Sequence, residues 1–593
     1  MNKLSTYSLG ICYVIMLYAA LLFYPKWKQA RTEATLSWDV SGYYMYLPAI
    51  FIYNDIQKCA FKDSILEKYG PTPDFQQAIT HEPTGNYVMK YSSGQAITML
   101  PWFAIAHIWA KSSNQFPADG FSFPYQICIG LGMFLYALIG LFYLRKLLLN
   151  YFKDSTVAIV LPLFVAGTNY LNYACIDQAM THSTLFVIYV FVILNTIAYH
   201  RNPSTQKAIG IGLLCGLATL IRPTDIISIL IPILWEVNSV KDIKNRISFF
   251  FNKYLQTILF TIALAVVVFI QPIYWKLVTN HWIVYSYQDQ GFSWLHPHIK
   301  DYLLSYRCGW LRYCPMMILP LLALIPYAFK GYNRLLICLF SILSLYIVSA
   351  WDVWDYGGTA GRAMVQYYPV LAFPFAFLIE EANKKTIFKT MLYPIILLFV
   401  YLNIWWFYNA HGGSICISES SREYYWKKVG RWHATENDTK LLDNKYAFDG
   451  VPQNVTPVYS NNFAADTSQN VFLINNNKVI RINNTLQYSL PYQFDKPSNT
   501  KKWFRFTGKF EATTKEWDMW KQAQFIVKFF DKGQEVQTNA IRLHRFLNDG
   551  EIKEIYFDAI APKNWDKASI LLWNSDGNKE LYLSSLNAIM FDE

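Results

Sequence analysis

Charge is scarce in this sequence: Asp, Glu, Lys and Arg together make up 16% of 593 residues, whereas hydrophobic residues make up 53%. No nucleic-acid-binding motif occurs. The excess of 52 Lys and Arg over 41 Asp and Glu falls in short loops between apolar runs, where basic residues orient membrane segments. The nine cysteines form no CxxC pair and show no metal-ligand spacing. We therefore expect neither a nucleic-acid partner nor a cysteine-held metal.

Long apolar runs are the main feature that is present. Runs such as 255–275 and 390–408 are long enough to cross about 30 Å of hydrocarbon. We predict a polytopic α-helical membrane protein with eleven spans, at 7–25, 122–144, 155–171, 181–198, 208–221, 223–236, 254–275, 311–329, 334–350, 364–380 and 389–408. If all the basic loops are cytoplasmic, the N-terminus is cytoplasmic too, and 95–110 lies along the outer surface as a helix instead of crossing.

This topology places glycine, proline, aromatic and ionisable residues together on the outer side. The outer segments would be residues 26–121, 174–181, the junction at Arg222-Pro223, 276–310 and 351–362, together with everything after 410. The inner loops are short and basic. We therefore predict that the outer face carries the function.

The composition changes after about residue 415, where period-two patterning replaces the apolar runs. The patterned segments are 504–510, 524–530, 551–557, 568–573 and 581–591, separated by turns such as Asp531-Lys532-Gly533. Short strands with such turns predict an antiparallel, jelly-roll-like β-sandwich. We divide the chain into a membrane domain at 1–410, an irregular connection with a few short strands at 411–485, and a periplasmic sandwich at 486–593. Five tryptophans there form either a sugar platform or part of the core: Trp503, Trp517, Trp520, Trp565 and Trp573.

Asp39 is the one acid in the stretch 37–44, which follows the first apolar run closely. A carboxylate set among aromatics such as Trp38, Tyr43 and Tyr44 can take a proton from a hydroxyl or orient a sugar. The alternative is a structural acid that caps a helix beginning near Val40.

Four further outer segments carry ionisable residues. Lys90 would stand at the level of the lipid headgroups, Asp177 and His182 precede a span, Arg222 separates two apolar helices, and Arg362 ends a glycine-rich turn. Ionisable residues at membrane depth cost about 2.5 to 3.5 kcal/mol on insertion scales, so several on one face favour a binding cavity. Singly, each has a structural alternative, such as snorkelling of a lysine or a satisfied helix start.

The aromatic loop from 274 to 313 is either a substrate lid or an aromatic belt at the membrane surface. Its length and its interruptions at Gly291 and Pro297 favour the lid. Trp294 and His296 are candidate substrate-binding residues within it.

The order of these motifs resembles the GT-C superfamily of membrane glycosyltransferases, which includes protein O-mannosyltransferases and aminoarabinose transferases. The matching stretches, within about residues 1 to 410, are 38–39, 90–94, 210–225, 304–315 and 357–369. The resemblance implies a sugar carried on a polyprenyl phosphate, transfer on the outer side of the membrane, and inversion at the sugar carbon.

The resemblance also implies roles for individual residues. Asp39 would be the general base on the acceptor hydroxyl, and Lys90, Arg222 and Arg362 would hold the departing phosphate. Candidate substrate-binding residues are Tyr43, Tyr44, Asp177, His182, Trp294, His296, Tyr306 and Arg307.

The sequence departs from the superfamily where many members carry paired acids after the first span. Asp39 is followed by Val40, and the nearest other acid in the loop is Glu33. We therefore predict no obligatory metal or other cofactor, while a divalent metal stays an open alternative.

The expected partners are a polyprenyl-phosphate-linked sugar, membrane lipid, and a protein, glycolipid or glycan acceptor. The expected location is the bacterial inner membrane. Two alternatives remain open: a transporter or flippase of a lipid-linked sugar, and a transferase like the O-antigen ligases that uses a diphosphate donor. Transporters often show inverted repeats, and no internal repeat is detectable in this sequence.

Overall fold

The computed structural model describes residues 3–413, 415–474, 476–513, 522–548, 550–575 and 580–593. The chain divides into two compact units, Met1–Gly413 and Ser414–Glu593. Each unit has its own hydrophobic core.

The first unit is helical and contains one short antiparallel hairpin. The hairpin pairs β1 (Ala78–His81) with β2 (Asn86–Met89). The α-helices are α1 (Lys3–Leu17), α2 (Trp38–Tyr44), α3 (Tyr46–Phe51), α4 (Lys62–Tyr69), α5 (Gly94–Ser112), α6 (Phe123–Leu148), α7 (Asp154–Gly167), α8 (Tyr170–Cys175), α9 (Thr181–Arg201), α10 (Thr205–Ile221), α11 (Leu230–Leu234), α12 (Val240–Asn252), α13 (Tyr254–Val268), α14 (Ile270–Thr279), α15 (Ile299–Leu304), α16 (Trp310–Tyr313), α17 (Ile318–Lys330), α18 (Arg334–Ala350), α19 (Tyr368–Asn383) and α20 (Thr386–His411).

Shorter helical turns extend or join these helices. A π-helical segment, Tyr18–Phe23, continues α1, and the 3-10 turns of this unit are Lys26–Lys28, Arg31–Glu33, Pro223–Ile229, Pro315–Met317 and Arg362–Tyr367.

Apolar helices long enough to cross a membrane confirm a multi-pass membrane protein. Within the described residues six qualify: Lys3–Lys28, Phe123–Leu148, Thr181–Arg201, Tyr254–Thr279, Arg362–Asn383 and Thr386–His411. Five shorter apolar helices are Asp154–Gly167, Thr205–Ile221, Pro223–Leu234, Pro315–Lys330 and Arg334–Ala350. Each predicted span falls on one of these helices. Helix α5, predicted to lie along the surface, is not among them, and the number of crossings stays a prediction.

A close backbone approach positions the motif residues 90–94 and 220–225 against each other. Helix α10 ends at Ile221 because Arg222 takes an extended backbone conformation before Pro223, as residues before proline prefer. A Cβ added to Gly94, at the start of α5, would lie 2.4 Å from the backbone nitrogen of Ile221. Only glycine therefore allows α5 to approach the end of α10 this closely.

Gly94→Ala is expected to destabilise the first unit by about 1–3 kcal/mol, since backbone atoms must move to relieve the overlap. Gly210→Ala in α10 is the matched control, because nothing lies within 4 Å of the added Cβ and alanine favours the helix. Thermal unfolding in detergent measures both. Equal melting temperatures for the two variants would contradict the predicted contact.

The second unit is an antiparallel β-sandwich, as predicted. Its elements are α21 (Arg422–Lys428), α22 (Glu436–Lys440), β3 (Gln453–Asn461), β4 (Val471–Ile474), β5 (Asn477–Ile482), β6 (Tyr492–Asp495), β7 (Trp503–Ala512), β8 (Gln524–Asp531), β9 (Gln534–Arg542), the 3-10 turn Leu543–Arg545, β10 (Ile552–Ile560), β11 (Lys567–Trp573) and β12 (Leu581–Asp592). One sheet has the order β10-β7-β12-β5-β4, with β3 also on β12, and the other has the order β6-β11-β8-β9.

The five predicted strands are confirmed as β7, β8, β10, β11 and β12. Their inward positions, such as Phe506, Phe529 and Phe557, form one core between the sheets. The predicted turn at 531–533 joins β8 to β9, and Lys532 and Gly533 both take left-handed backbone conformations there.

The few short strands expected within 411–485 are present as β3, β4 and β5, and both β3 and β5 pair with β12, so these strands belong to the sandwich. Strand β9 was missed because it is a polar edge strand with few buried positions. Of the five tryptophans, Trp565 lies in the core, Trp503 and Trp573 are half-buried, and Trp517 and Trp520 fall outside the described residues.

Candidate active site

Asp39 lies in the first turn of α2, and its carboxylate is held by two groups from distant segments. Arg362 Nη2 donates to Oδ2 at 2.7 Å, and the Tyr91 hydroxyl donates to Oδ1 at 2.7 Å. The helix begins at Trp38, and its N-cap, Ser37, makes no side-chain capping bond. Asp39 therefore lies inside the first turn of α2 and not at its N-cap position, and its carboxylate oxygens accept from Arg362 and Tyr91.

The backbone immediately before Asp39 is strained. Trp38 has a φ of 47°, in the left-handed region that a bulky residue rarely occupies. Its amide donates to the Pro71 carbonyl at 3.1 Å, and its carbonyl accepts from the Ser41 hydroxyl at 2.7 Å. Strain held in place in this way is common at functional sites.

The charges around Asp39 keep it ionised. Burial raises the pKa of its carboxyl, but the Arg362 charge, the Tyr91 hydrogen bond and the Lys90 charge outweigh burial and bring the pKa below its usual value. The side chain is still 25% exposed, so one edge of the carboxylate can be reached from outside.

Aromatic rings surround the base on the side of Lys90. The Lys90 ammonium lies 5.8 Å from the ring centroids of Tyr91 and of Tyr287, and the ring centroids of Tyr43 and Tyr91 are 4.5 Å apart. The Ser286 hydroxyl fixes the loop by donating to the Lys90 carbonyl at 2.7 Å. The structure thus brings Tyr43 and Lys90 to the site predicted around Asp39.

Arg222 and His182 meet in a second polar group, organised by Gln366. Arg222 Nη1 lies 3.3 Å from His182 Nδ1 and 3.5 Å from Gln366 Oε1, and His182 Nδ1 lies 3.2 Å from the same amide oxygen. The Gln366 amide nitrogen donates to both oxygens of the buried Asp225, at 3.0 and 2.8 Å. The Tyr189 hydroxyl donates to Asp225 at 2.8 Å.

The glycine-rich turn at 351–362 leads into the 3-10 segment Arg362–Tyr367. This segment links the two polar groups, because Arg362 belongs to the first and Gln366 to the second. Arg362 lies 4.4 Å above the ring of Tyr356. Three buried polar atoms of this turn have no hydrogen-bond partner among the residues that the structure describes: Tyr356 OH, Thr359 Oγ1 and Arg362 Nε. Buried groups of this kind cost about 1–3 kcal/mol each when unpaired, so they are suited to a polar ligand.

Positive charge exceeds negative charge here. Among the described residues, neither Lys90 nor Arg222 has a carboxylate within ion-pair distance, and Arg362 shares its charge with Asp39. The only other carboxylate of the two groups, Asp225, is already bonded by Gln366 and Tyr189. The arrangement suits an anionic ligand beside a single base.

Comparison with solved structures finds membrane transferases at low identity. The oligosaccharyltransferase AglB from Archaeoglobus fulgidus, in complex with an inhibitory peptide and a dolichol-phosphate, is 10% identical over 76% of this chain and 61% of its own, with a TM-score of 0.43. The arabinosyltransferase EmbB from Mycobacterium smegmatis is 9% identical over 98% of this chain and 64% of its own, with a TM-score of 0.33.

The structural neighbours are GT-C membrane glycosyltransferases. This chain spans about three fifths of their length. No family model matches the chain, and no curated protein matches it.

Asp177 lies in a separate polar group. It pairs with Lys26 and accepts from Asn172 Nδ2 at 2.8 Å, and the Asn172 amide oxygen lies 2.5 Å from His411 Nε2. Burial raises the pKa of Asp177, but the Lys26 and His411 charges and the hydrogen bonds from Lys26 and Asn172 together outweigh burial, so the pKa is lowered. Asp177 is thus already neutralised by Lys26 and is not joined to Asp39.

The other predicted substrate-binding residues lie outside both polar groups. Tyr44 is fully buried and donates to the Gly120 carbonyl at 2.6 Å, as a core residue would. Arg307 pairs with Asp355 at 3.0 Å, and Tyr306 lies under the guanidinium of Arg312 at 3.7 Å.

The predicted lid residues Trp294 and His296 are exposed, and Trp294 stacks on Phe292 at 4.5 Å. Their loop is fixed by Asp352, which accepts from Gly291 N and Ser293 Oγ. The part of the loop that reaches the site is Ser286 and Tyr287.

The groups around Asp39 do not fit a metal site. Its oxygens bind an arginine and a phenol, and the described residues contain no group of three or more His, Cys, Asp or Glu that could hold an ion. Metal dependence stays a prediction, and its test is activity after treatment with a chelator.

Three site residues escaped the sequence analysis as candidates: Tyr91, Gln366 and Tyr287. Tyr91 adjoins Lys90, and Gln366 follows Arg362 by one helical turn, so both lie inside motifs that had been singled out. Proximity to a candidate cation was the signal that could have found them.

Proposed function

We propose that this protein is a membrane glycosyltransferase that moves a sugar from a polyprenyl-phosphate donor to a hydroxyl acceptor, on the outer side of a bacterial inner membrane. The observation that carries the proposal is an ionised Asp39 bound by Arg362 and Tyr91 in a unit of membrane helices. Beside it stand Lys90 and Arg222, which have no acidic partner among the described residues. Base and cations are the two things that such a transfer requires.

The proposed base has room for a substrate. A carboxylate oxygen accepts two hydrogen bonds, and each oxygen of Asp39 has one donor among the described residues. One lone pair on each oxygen therefore remains for the acceptor hydroxyl. Tyr91 and Arg362 fix the carboxylate in one orientation, which is what positioned proton transfer needs.

The chemical step is a single displacement at the anomeric carbon. The bond from the acceptor oxygen to that carbon forms as the bond from the carbon to the phosphate oxygen breaks. The hydroxyl proton passes to Asp39, and the electron pair leaves with the phosphate, whose new negative charge is stabilised by Lys90, Arg222 and Arg362. Attack opposite the leaving group inverts the sugar carbon.

Arg362 connects proton transfer to Asp39 with binding of the donor phosphate. In the free protein it lowers the basicity of Asp39, whereas a bound phosphate would compete for the guanidinium through its unpartnered Nε. Sharing Arg362 with the donor raises the basicity of Asp39 only when the donor is in place. Donor binding thereby prepares the base.

The pH dependence of the free enzyme follows from the lowered pKa of Asp39. Asp39 acts as a base only when it is ionised, and its pKa lies below the usual value of about 3.9. In a plot of kcat/KM against pH, the acid limb, which is the decrease at acid pH that reports Asp39, should therefore occur below about pH 4. Between pH 5 and 8 this group should leave kcat/KM unchanged. Tyr91→Phe removes a hydrogen bond that lowers the pKa, so its limb should move upward. A wild-type limb near pH 6 to 7 that Tyr91→Phe leaves in place would contradict this role.

The direct test is transfer of radiolabelled sugar from a panel of polyprenyl-phosphate sugars by the purified protein in lipid. We expect one donor to be consumed and its sugar to appear on a hydroxyl acceptor. Protein-hydroxyl and glycolipid acceptors are supplied in parallel. If the labelled lipid crosses the bilayer intact and is never consumed, the protein is a transporter. If only a diphosphate donor is consumed, the monophosphate assignment fails.

A further inference from the structure

An apolar groove of about 580 Å³ opens between α1, α6 and α9, away from the polar groups described above. Seven side chains line it: Tyr13, Leu135, Leu138, Ile139, Phe142, Tyr143 and Phe191. The two tyrosines are the only lining residues with a polar side-chain atom, and the Tyr13 hydroxyl is already used, donating to the Leu138 carbonyl at 2.9 Å. The groove therefore presents mainly hydrocarbon and aromatic surface.

The floor of the groove is rigid because α6 and α9 pack closely. A Cβ on Gly140 would lie 2.7 Å from Val187, and the rings of Tyr143 and Phe191 are 4.8 Å apart. The volume is within the usual range of ligand pockets, about 300–1,000 Å³. Both helices are membrane-crossing candidates, so the groove faces the lipid of the bilayer.

A free cation stands at one end of the groove. The Lys146 ammonium lies 4.4 Å from the ring centroid of Phe142 and 4.9 Å from that of Tyr143. Among the described residues, no group bonds or pairs with this ammonium. The neighbouring Arg145 is occupied, because it donates to Ser5 Oγ at 2.8 Å and Thr6 Oγ1 at 2.7 Å.

The length of the groove matches one leaflet. At 1.5 Å per residue, α6 rises about 16 Å from Leu135 to Lys146. Half of a hydrocarbon core of about 30 Å is about 15 Å. An acyl chain that starts at Lys146 would therefore reach the bilayer midplane near Leu135.

We propose that this groove binds one anionic phospholipid, with an acyl chain along α6 and α9 and the phosphate at Lys146. Charge complementarity favours an anionic headgroup over a zwitterionic one, because Lys146 has no acidic partner in the described part of the chain. The site is separate from Asp39 and does not depend on the proposed transfer reaction.

The test measures binding of phosphatidylglycerol and phosphatidylethanolamine to the purified full chain by native mass spectrometry. Wild-type protein is expected to retain one phosphatidylglycerol in preference to phosphatidylethanolamine. Lys146→Glu should weaken that binding about five- to thirtyfold, since each basic residue near the headgroups contributes about that scale of attraction. Leu135→Trp, at an exposed position that fills the far end, should weaken it as well.

Lys153→Glu is the matched control, with the same charge change in the loop that follows α6, and should bind like wild type. Thermal unfolding shows that each variant is folded, and Lys146→Met replaces Lys146→Glu if the latter is not. Equal loss in Lys146→Glu and Lys153→Glu, or equal retention of the two phospholipids by wild type, overturns the site. Displacement of phosphatidylglycerol by polyprenyl phosphate, with the same dependence on Lys146, would assign the groove to the donor chain instead.

Discussion

Asp39→Asn is expected to lower sugar transfer by about 10²–10⁴-fold, the usual scale for loss of a general base. Asparagine keeps the size of the side chain, and its amide oxygen can accept from Arg362 while its NH2 group donates to the Tyr91 hydroxyl, but it cannot take the acceptor proton. Because the positive charge of Arg362 is then no longer neutralised, binding of the anionic donor should be unchanged or tighter. The measurements are the single-turnover transfer rate and donor affinity by titration.

Asp63→Asn supplies the control for Asp39→Asn. Asp63 is an exposed acid of the same long segment between α1 and α6, with 78% of its side chain accessible, and it should transfer sugar at the wild-type rate. Full activity of Asp39→Asn would remove Asp39 from the mechanism. Parallel loss of transfer and of donor binding would instead indicate that Asp39 acts by holding Arg362 in place.

Arg362→Ala is expected to weaken donor binding about ten- to hundredfold, since hydrogen bonds to charged groups contribute about 1.5–3 kcal/mol. The variant also removes the charge that does most to lower the pKa of Asp39, while burial of the carboxyl remains. The acid limb of kcat/KM should therefore move to higher pH than in the wild type. Donor titration and a pH profile measure the two effects separately.

Two further variants show whether Arg362 acts on the donor or on folding. Arg362→Lys keeps the charge but loses the planar fork of donors, so its donor affinity should be intermediate. Arg334→Ala, at the opposite end of α18 from the glycine-rich turn, should bind donor like wild type. The β-sandwich of residues 414–593 should keep its own thermal transition in all three variants. Unchanged donor affinity in Arg362→Ala would indicate a structural arginine.

The candidate site shows where local sequence was sufficient and where it was not. Asp39, Lys90 and Arg222 were found because ionisable residues beside apolar runs are unusual. Asp177 was found by the same signal, yet the structure neutralises it with Lys26, which precedes it by 151 residues. Local pattern identifies a charge near the membrane surface but does not say which partner it meets.

Aromatic residues were harder to assign than charged ones. Tyr43, Tyr44 and Trp294 all occur in aromatic stretches, but one lines the site, one is a fully buried core residue and one stacks at an exposed edge. The same aromatic residue types fill cores, line binding sites and lie at membrane surfaces, so amino-acid composition does not distinguish these three roles. The sequence therefore showed that aromatic rings are present but did not predict which of them line the site.

The sequence alone determined that this is a multi-pass membrane protein followed by a β-sandwich, because the length of an apolar run and a two-residue alternation are local properties of the chain. Only the tertiary structure decided that Arg362 meets Asp39 across 323 residues, that Gln366 joins Arg222 to Asp225, and that the segment at 411–485 completes a sheet. Such contacts depend on how helices and strands pack against one another, and packing is set by the whole chain at once.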